Sequence, residues 1–323
     1  MRQAQLIVAK ILSFVLLMSL SPAWGLSVEV VYPAKPIRLI VPFAPGATTD
    51  FLGRVVAQHM TEAWGKSVIV ENKIGAAGLI GVDATAKSPA DGYTVCVSTG
   101  AIAIYSATKG DVPFDALNDF EYIAMIGRVP HVIVVNKDFP ANNFQEFLAY
   151  TKNGQPFPYA STGARSNAHF TGEMLRSSTG ILLQHVSYRG GAPAMLDVVA
   201  GHIQIMVASL TTAMPFIKSG AIKPLAITTG TRSTVLPNTP TLKELGYPEI
   251  DNAEWWGVIA PKNTPKPILE IWRSELKKVI TPALMEKSPG LELYPMTPEE
   301  MRKLVQKELV TWKEVAKKSN ITE

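Results

Sequence analysis

Five histidines, one cysteine and scattered carboxylates are the reactive side chains this sequence offers. His169, His185 and His202 do not fall at metal-ligand spacing, and Cys96 partners none of them. His59 sits inside a helix-patterned segment, where a packed or surface histidine is expected, and His131 begins an extended one. There is no G-x-S-x-G elbow. Gly75, Gly78 and Gly81 make G-x-x-G-x-x-G, which is not the dinucleotide fingerprint, and no Walker lysine follows a glycine loop. No nucleophile, base and orienting group converge, so the expectation is no catalysis, no metal and no cofactor. What the chain does offer is loops of small and hydroxyl residues, beginning with Phe43-Ala44-Pro45-Gly46-Ala47-Thr48-Thr49-Asp50. Backbone amides at a helix N-terminus hold an anion without burying a countercharge, and a carboxylate suits them. Arg165 and Arg189 lie in loops of this kind and read equally as ligand contacts or as solvated cations. Asp50 also reads as a cap or first-turn acid of its helix, and Pro45, Gly46 and Gly78 also read as turn formers.

These loops must be positioned by the elements around them. The apolar run Ile37-Arg38-Leu39-Ile40-Val41-Pro42 predicts a strand leading into the first loop, with a helix from Phe51 to Trp64 behind it. Ser67–Glu71 predicts a second strand, entering Asn72–Gly81 and a short helix to Lys87, and Tyr93–Val97 a third, ending in Ser98-Thr99-Gly100. Three strands with two helical connections form a β-α-β-α-β unit, whose carboxyl ends are where an open parallel sheet binds ligands. Tyr122–Ile126 and His131–Val135 read as two extended segments leading out of this unit, and Asn143 as the cap of a helix through Tyr150. The arrangement then recurs. Pro158–Ala160 enters Ser161–Ser166, Leu183–Tyr188 enters Arg189–Pro193, Ile203–Ala208 enters Ser209–Thr212, and Pro224–Thr228 enters Thr229–Arg232, each expected to lead into a helix. Thr264-Pro265 reads as a cap with proline at the first helical position, ahead of an apolar face of Ile268, Ile271, Trp272, Leu276 and Val279. Thr297-Pro298-Glu299-Glu300 fits a capping box, and Met301, Leu304, Val305, Trp312 and Val315 form a stripe that reports packing.

The ends and the composition set the setting. Arg2 and Lys10, the apolar run Ile11–Leu20 and the small residues Ser21–Gly25 read as a cleavable secretory signal over residues 1–25. The apolar run is about half of the ~20 residues a spanning helix needs. Without the leader, 29 basic residues face 27 acidic ones, too weak a bias to suggest nucleic acid or a membrane surface. A single cysteine leaves no intrachain disulfide, so a core must supply stability, and 47% hydrophobic residues allow one.

With these residues in view, the chain resembles the Bug (TctC-type) substrate-binding receptors of tripartite tricarboxylate transport systems. The resemblance runs over the mature chain. It rests on Tyr32-Pro33 with Lys35-Pro36-Ile37, on Val41-Pro42-Phe43-Ala44-Pro45-Gly46 with Asp50, on Val70-Glu71-Asn72 with Gly75-Ala76-Ala77-Gly78, and on Ala90-Asp91-Gly92-Tyr93. It continues through Tyr188-Arg189-Gly190-Gly191-Ala192-Pro193-Ala194, Arg232-Ser233 before Leu236-Pro237, Pro240-Thr241, and Trp256-Gly257-Val258 before Ala260-Pro261.

The resemblance implies an α/β, two-lobed periplasmic binding protein of type II, a Venus flytrap with its ligand cleft between lobes. Lobe 1 would comprise residues 26–132 with 254–323, and lobe 2 residues 133–253, with the two crossovers as hinges. It implies a monomeric receptor that binds a small carboxylate and delivers it to the membrane permease subunits of a tripartite tricarboxylate-type transporter. The alternative partner is the outer domain of a sensor kinase; a cleft enzyme is the remaining possibility. Carried over by position, the ligand contacts would be Phe43, Ala44, Gly46, Ala47, Thr48, Thr49, Ala76 and Gly78 in lobe 1. In lobe 2 they would be Ser161, Thr162, Arg165, Gly190, Gly191, Ala192 and Ser209. Three positions depart from the family pattern. Ala47 stands where a second glycine is usual, Arg165 where glycine is common, and no acid lies near Ala208, which points to a carboxylate without an amino group.

Overall fold

Strand β1 (Ile37–Val41) is buried at every position except Arg38. The consecutive buried residues Leu39–Val41 belong to a strand covered on both faces there, as in a parallel sheet. β1 lies between β2 (Val68–Asn72) and β3 (Thr94–Thr99), parallel to both, and β3 is buried throughout. Helices α1 (Thr48–Trp64) and α2 (Leu79–Ala86) make the crossovers. α1 starts three residues before the expected Phe51, because Ala47 takes the extended cap conformation and Asp50 falls inside the first turn. It ends on Gly65 in the left-handed region, φ +62°. The structure, a computed structural model, describes residues 32–108 and 112–321. The expected leader, residues 1–25, lies outside them.

α3 (Ala101–Thr108) follows β3. The two extended segments expected beyond it are in fact one 17-residue strand, β4 (Phe120–Asn136). Irregularities at Tyr122/Ala124 and Met125/Gly127 bend it without ending it. From Phe120 to Pro130, β4 pairs antiparallel with β9 (Ala253–Pro261). From His131 onward it pairs instead with β7 (Ile205–Ser209) and β8 (Ile222–Ile227). The strand order β2-β1-β3-β9-β4-β7-β5-β6 therefore has two sets of strands sharing one long member, with β8 also beside β4.

In the second set, α4 (Phe144–Thr151) is capped by Asn143, whose side chain accepts the Glu146 N–H at 2.9 Å. β5 (Phe157–Ser161) runs parallel to β6 (Leu183–Ser187) and to β7. α5 (Asn167–Thr179), α6 (Gly191–Ala200) and α7 (Leu210–Lys218) follow β5, β6 and β7 in turn. The fourth expected repeat fails. No helix follows β8; Pro237, Pro240, Pro248 and the left-handed Gly246 break residues 228–252 into turns.

The chain then returns to the first set through β9, α8 (Lys266–Val279), α9 (Pro282–Glu286) and α10 (Pro298–Lys318). The cap of α8 is one residue later than expected: Pro265 itself holds the extended cap geometry, while the Thr264 hydroxyl donates to the Pro261 carbonyl at 2.7 Å. The α10 capping box forms as expected, with the Thr297 hydroxyl accepting the Glu300 N–H and the Glu300 carboxylate accepting the Thr297 N–H. Met301, Val305, Trp312 and Val315 of its stripe are buried. Trp312 meets Phe170 of α5 edge to face, ring centroids 5.5 Å apart, so α10 packs on both sets of strands. The described residues from 33 onward form one compact unit. No helix among the described residues is long and apolar enough to cross a membrane.

Candidate functional site

The first loop is held by a buried charge. Asp50, 3% exposed, accepts from the Arg54 Nε at 2.8 Å, the Asn72 side-chain amide at 2.9 Å and the Gly46 N–H at 3.0 Å. The Arg54 bond, aided by Asn72 and Gly46, outweighs burial and holds the carboxyl down at about 2. Asn72, the last residue of β2, also donates to the Phe43 carbonyl at 3.0 Å. Asp50 thus fixes the loop instead of facing a ligand. Gly46 turns at φ +85° and Ala47 accepts the Phe51 N–H, leaving Ala44 and Gly46 exposed and Ala47 and Thr48 half-buried. Thr49 is buried, and its hydroxyl accepts the Trp256 indole N–H at 2.9 Å.

The second loop carries backbone strain. Gly75, Ala76, Ala77 and Gly78 have φ of +136°, +46°, +53° and +99°. For the two alanines this costs about 1–2 kcal/mol each. A Cβ on Gly78 would come within 3.2 Å of the Phe43 ring, so this glycine lets the two loops close on each other. Pro42, Phe43, Ala77, Gly78, Ser98, Thr99 and Ala101 line one pocket, where the carboxyl ends of β1 and β3 meet the turn after β2. The Ser98 hydroxyl there is fully buried and has no partner among the described residues.

The loops after β5, β6 and β7 interlock in the same way. Gly190 donates to the Thr162 carbonyl at 3.1 Å, Tyr188 to the Ser161 carbonyl at 3.3 Å, and Ala164 to the Ser187 hydroxyl at 2.8 Å. A Cβ on Gly191 would meet Thr212 at 3.3 Å and Thr162 at 3.6 Å. Ser209 and Thr211 share a hydroxyl–hydroxyl bond at 2.8 Å, and Ala192 is exposed in the first turn of α6. Buried Ser161 bonds the His185 Nε2 at 2.6 Å and closes a turn by donating to the Gly163 carbonyl. His185 stacks on His169, ring centroids 3.7 Å apart. His169 Nδ1 accepts the N–H of Arg165, which itself sits in the left-handed region at φ +59°. Burial first, then the neighbouring ring, pushes His185 down to about 4, and burial lowers His169 too. Both imidazoles are neutral struts for the Ser161–Arg165 turn.

Within the first set, Trp256 of β9 reaches Thr49. Between the sets, the charge of half-buried Arg165 opposes the effect of burial on the Tyr105 hydroxyl of α3. At the crossing, the Thr228 hydroxyl donates to the Asn252 carbonyl at 2.7 Å and accepts the His131 N–H at 3.0 Å, while Asn252 donates to Asn167 and Thr171 of α5. Of the fifteen candidate contacts, Phe43 and Gly78 meet in one pocket and Ser161, Thr162, Gly190 and Gly191 in one loop cluster. The sequence candidates do not include His185, Ser98, Thr212, Tyr105 or Trp256. Ser98 and Thr212 lie in loops whose composition marks them; His185, Tyr105 and Trp256 are placed by topology alone. Among the described residues no three His, Cys, Asp or Glu side chains are arranged to hold a metal ion.

Residues 52–321 match the profile of the tripartite tricarboxylate transporter family receptor, TctC. The chain is 33% identical to protein BugT of Bordetella pertussis over 295 residues, 89% of this chain and 90% of that one. Among solved structures it resembles the periplasmic binding protein BugD, at 32% identity and a TM-score of 0.75 over 90% of this chain and 99% of that one. Rpa4515 of R. palustris with adipate gives 30% and 0.75, covering 88% and 97%. MatC of Rhodopseudomonas palustris with bound malate gives 25% and 0.75, covering 88% and 99%. The fold is the two-lobed α/β architecture of the periplasmic binding proteins.

Proposed function

This chain belongs to the TctC family of tripartite tricarboxylate transporter receptors, and on that premise we propose that its cleft binds a small dicarboxylate and hands it to membrane permease subunits. The family's members are substrate-binding receptors, not enzymes, and the chain is one of them. The observation that carries the ligand class is the make-up of the loops. Both sets of strands end in amides and hydroxyls braced from behind, by Asp50 on one side and by His185 and His169 on the other. Such a site offers dipoles to an anion and supplies little mobile charge of its own. Arg165 adds a cation at its edge. That adipate and malate occupy two relatives supports a dicarboxylate.

In this reading the first lobe is residues 26–132 with 254–323 and the second is 133–253. The change of pairing partner at Pro130/His131 of β4 and the Thr228–Asn252 cluster are the hinge. The ligand favours the closed form by touching both sides at once. The test is calorimetric titration with two- and one-carboxylate acids of equal chain length, followed by mass spectrometry of the recovered ligand. Saturable binding with dicarboxylates favoured at least tenfold, and the ligand returned intact, is the expected result. No binding of any carboxylate, or a chemically altered ligand, overturns the proposal.

A further inference from the structure

A carboxylate with no hydrogen-bond or ion-pair partner among the described residues stands beside the loops just described. β9 is regular at its start: Ala253, Glu254, Trp255 and Trp256 pair one for one with Pro130, Val129, Arg128 and Gly127 of β4. Side chains along such a stretch alternate between the two faces. Trp255 takes the face of α10, where its indole N–H is shared by the two oxygens of Glu308 at 3.0 and 3.1 Å. Trp256 takes the opposite face and reaches Thr49 in the first turn of α1. Glu254 shares the Trp256 face, two residues and about 6–7 Å further along the strand. Thr99, at the end of β3, pairs with Trp256 and lies on that face as well.

The backbone on either side of Glu254 is tied to both sets of strands. The Gly100 N–H donates to the Trp255 carbonyl at 3.3 Å, and the Asn167 side-chain amide donates to the Ala253 carbonyl at 3.5 Å. Glu254 is therefore bracketed by the loop after β3 and by the first turn of α5, the turn that follows Arg165 and Ser166. Trp255 answers to Glu308 and Trp256 to Thr49, but no described residue gives the Glu254 carboxylate a hydrogen bond or an ion pair. Burial alone acts on it, raising it to about 7.

We propose that Glu254 is a specificity-determining residue of the cleft, where its carboxylate accepts a hydrogen bond from a hydroxyl or ammonium group carried by the carboxylate ligand. The proposal rests on the receptor reading above and deepens it. A half-buried carboxylate that loses its remaining water as the lobes close must find a donor or remain unpaired at substantial cost. A ligand with a donor next to its carboxylate supplies one. A plain dicarboxylate offers no donor to ionised Glu254 and brings like charge toward the same wall. It can be accepted only if Glu254 takes up a proton, so the comparison is read at about pH 8.5, where that uptake costs more than tenfold. A charge-assisted hydrogen bond that one ligand makes and the other leaves unmade supports tenfold or greater discrimination.

The experiment compares dissociation constants for succinate, malate and aspartate, and for adipate and 3-hydroxyadipate, in wild type, Glu254→Gln and Glu254→Ala. Wild type should bind the donor-bearing member of at least one series ten times more tightly than the plain acid. Malate above aspartate identifies the donor as a hydroxyl, and the reverse identifies it as an ammonium. Glu254→Ala should bring the ratio to within about threefold at an unchanged unfolding midpoint, and Glu254→Gln, which keeps an acceptor oxygen, should retain part of it. A wild type without preference, or a preference that survives Glu254→Ala, overturns the inference and leaves the receptor reading standing. If wild type binds none of these acids, the receptor reading fails, and this inference falls with it.

Discussion

The loop after β1 and the loop after β5 present similar surfaces, glycines, alanines and hydroxyls at a helix start, yet they are braced by opposite means. The first is pinned by an ion pair: Asp50 gathers Arg54, Asn72 and the Gly46 amide. The second is pinned by two neutral, stacked imidazoles, with His185 on Ser161 and His169 on the Arg165 amide. The two halves of an amide-lined site can thus be equally preorganised while differing in what disturbs them. Removing a charge should damage the first, and acid should damage the second.

The largest effect should come from Asp50→Ala. It strips three donors of their acceptor at a buried position, and stability measured by denaturant unfolding should fall by about 3 kcal/mol, with loss of ligand binding. A loss under 1 kcal/mol would mean that the loop is held by other contacts. Arg165→Ala comes next. If the guanidinium helps hold the ligand, affinity should drop about tenfold, roughly 1.4 kcal/mol, while the unliganded unfolding midpoint barely moves. Equal losses in both would make Arg165 a brace and not a contact.

Acidification separates the two loops directly. Asp50, depressed to about 2 in the fold, contributes stability that is complete above its ordinary value near 3.8 and is lost only as pH falls through about 2. His185, depressed to about 4, contributes stability that is complete above its ordinary value near 6.5 and is lost as pH falls toward 4. Between pH 6.5 and 4.5, amide-exchange protection should therefore fall at Gly163–Arg165 and hold at Gly46–Phe51. His185→Gln should flatten the change. Buried His131, also near 4, weakens the hinge in the same window and is a separate contribution for His131→Gln to isolate. The smallest effect concerns strain: Ala77→Gly should stabilise the protein by up to about 1 kcal/mol, because glycine accepts φ +53° without penalty. No gain would show that the turn's strain is relieved elsewhere.

Much of this molecule is written locally. Each apolar run ending in small or hydroxyl residues became a strand entering a loop, because continuous burial and approachable backbone are properties of the segment itself. The reading failed where the cause is distant. Pro224–Thr228 has the same local look as the other strands, but it pairs antiparallel with β4, and proline and glycine deny it a following helix. Nothing near Pro130 announces that two extended segments form one strand shared by both sets. His185 looked idle as a metal ligand, since its partner Ser161 lies 24 residues away. The absence of an acid near Ala208 points to a carboxylate without an amino group, and nothing local announces that β9 brings Glu254 to the Trp256 face from far along the chain.

In the proposed function, one carboxylate ligand is gripped by amides from both sets of strands. Backbone amide shifts of nitrogen-15-labelled protein, titrated with a dicarboxylate to saturation, test it most directly. Thr48 and Thr49 should move together with Gly191 and Ala192, along curves that give a single dissociation constant. Saturable binding that shifts only one of the two loops, or neither, would contradict it.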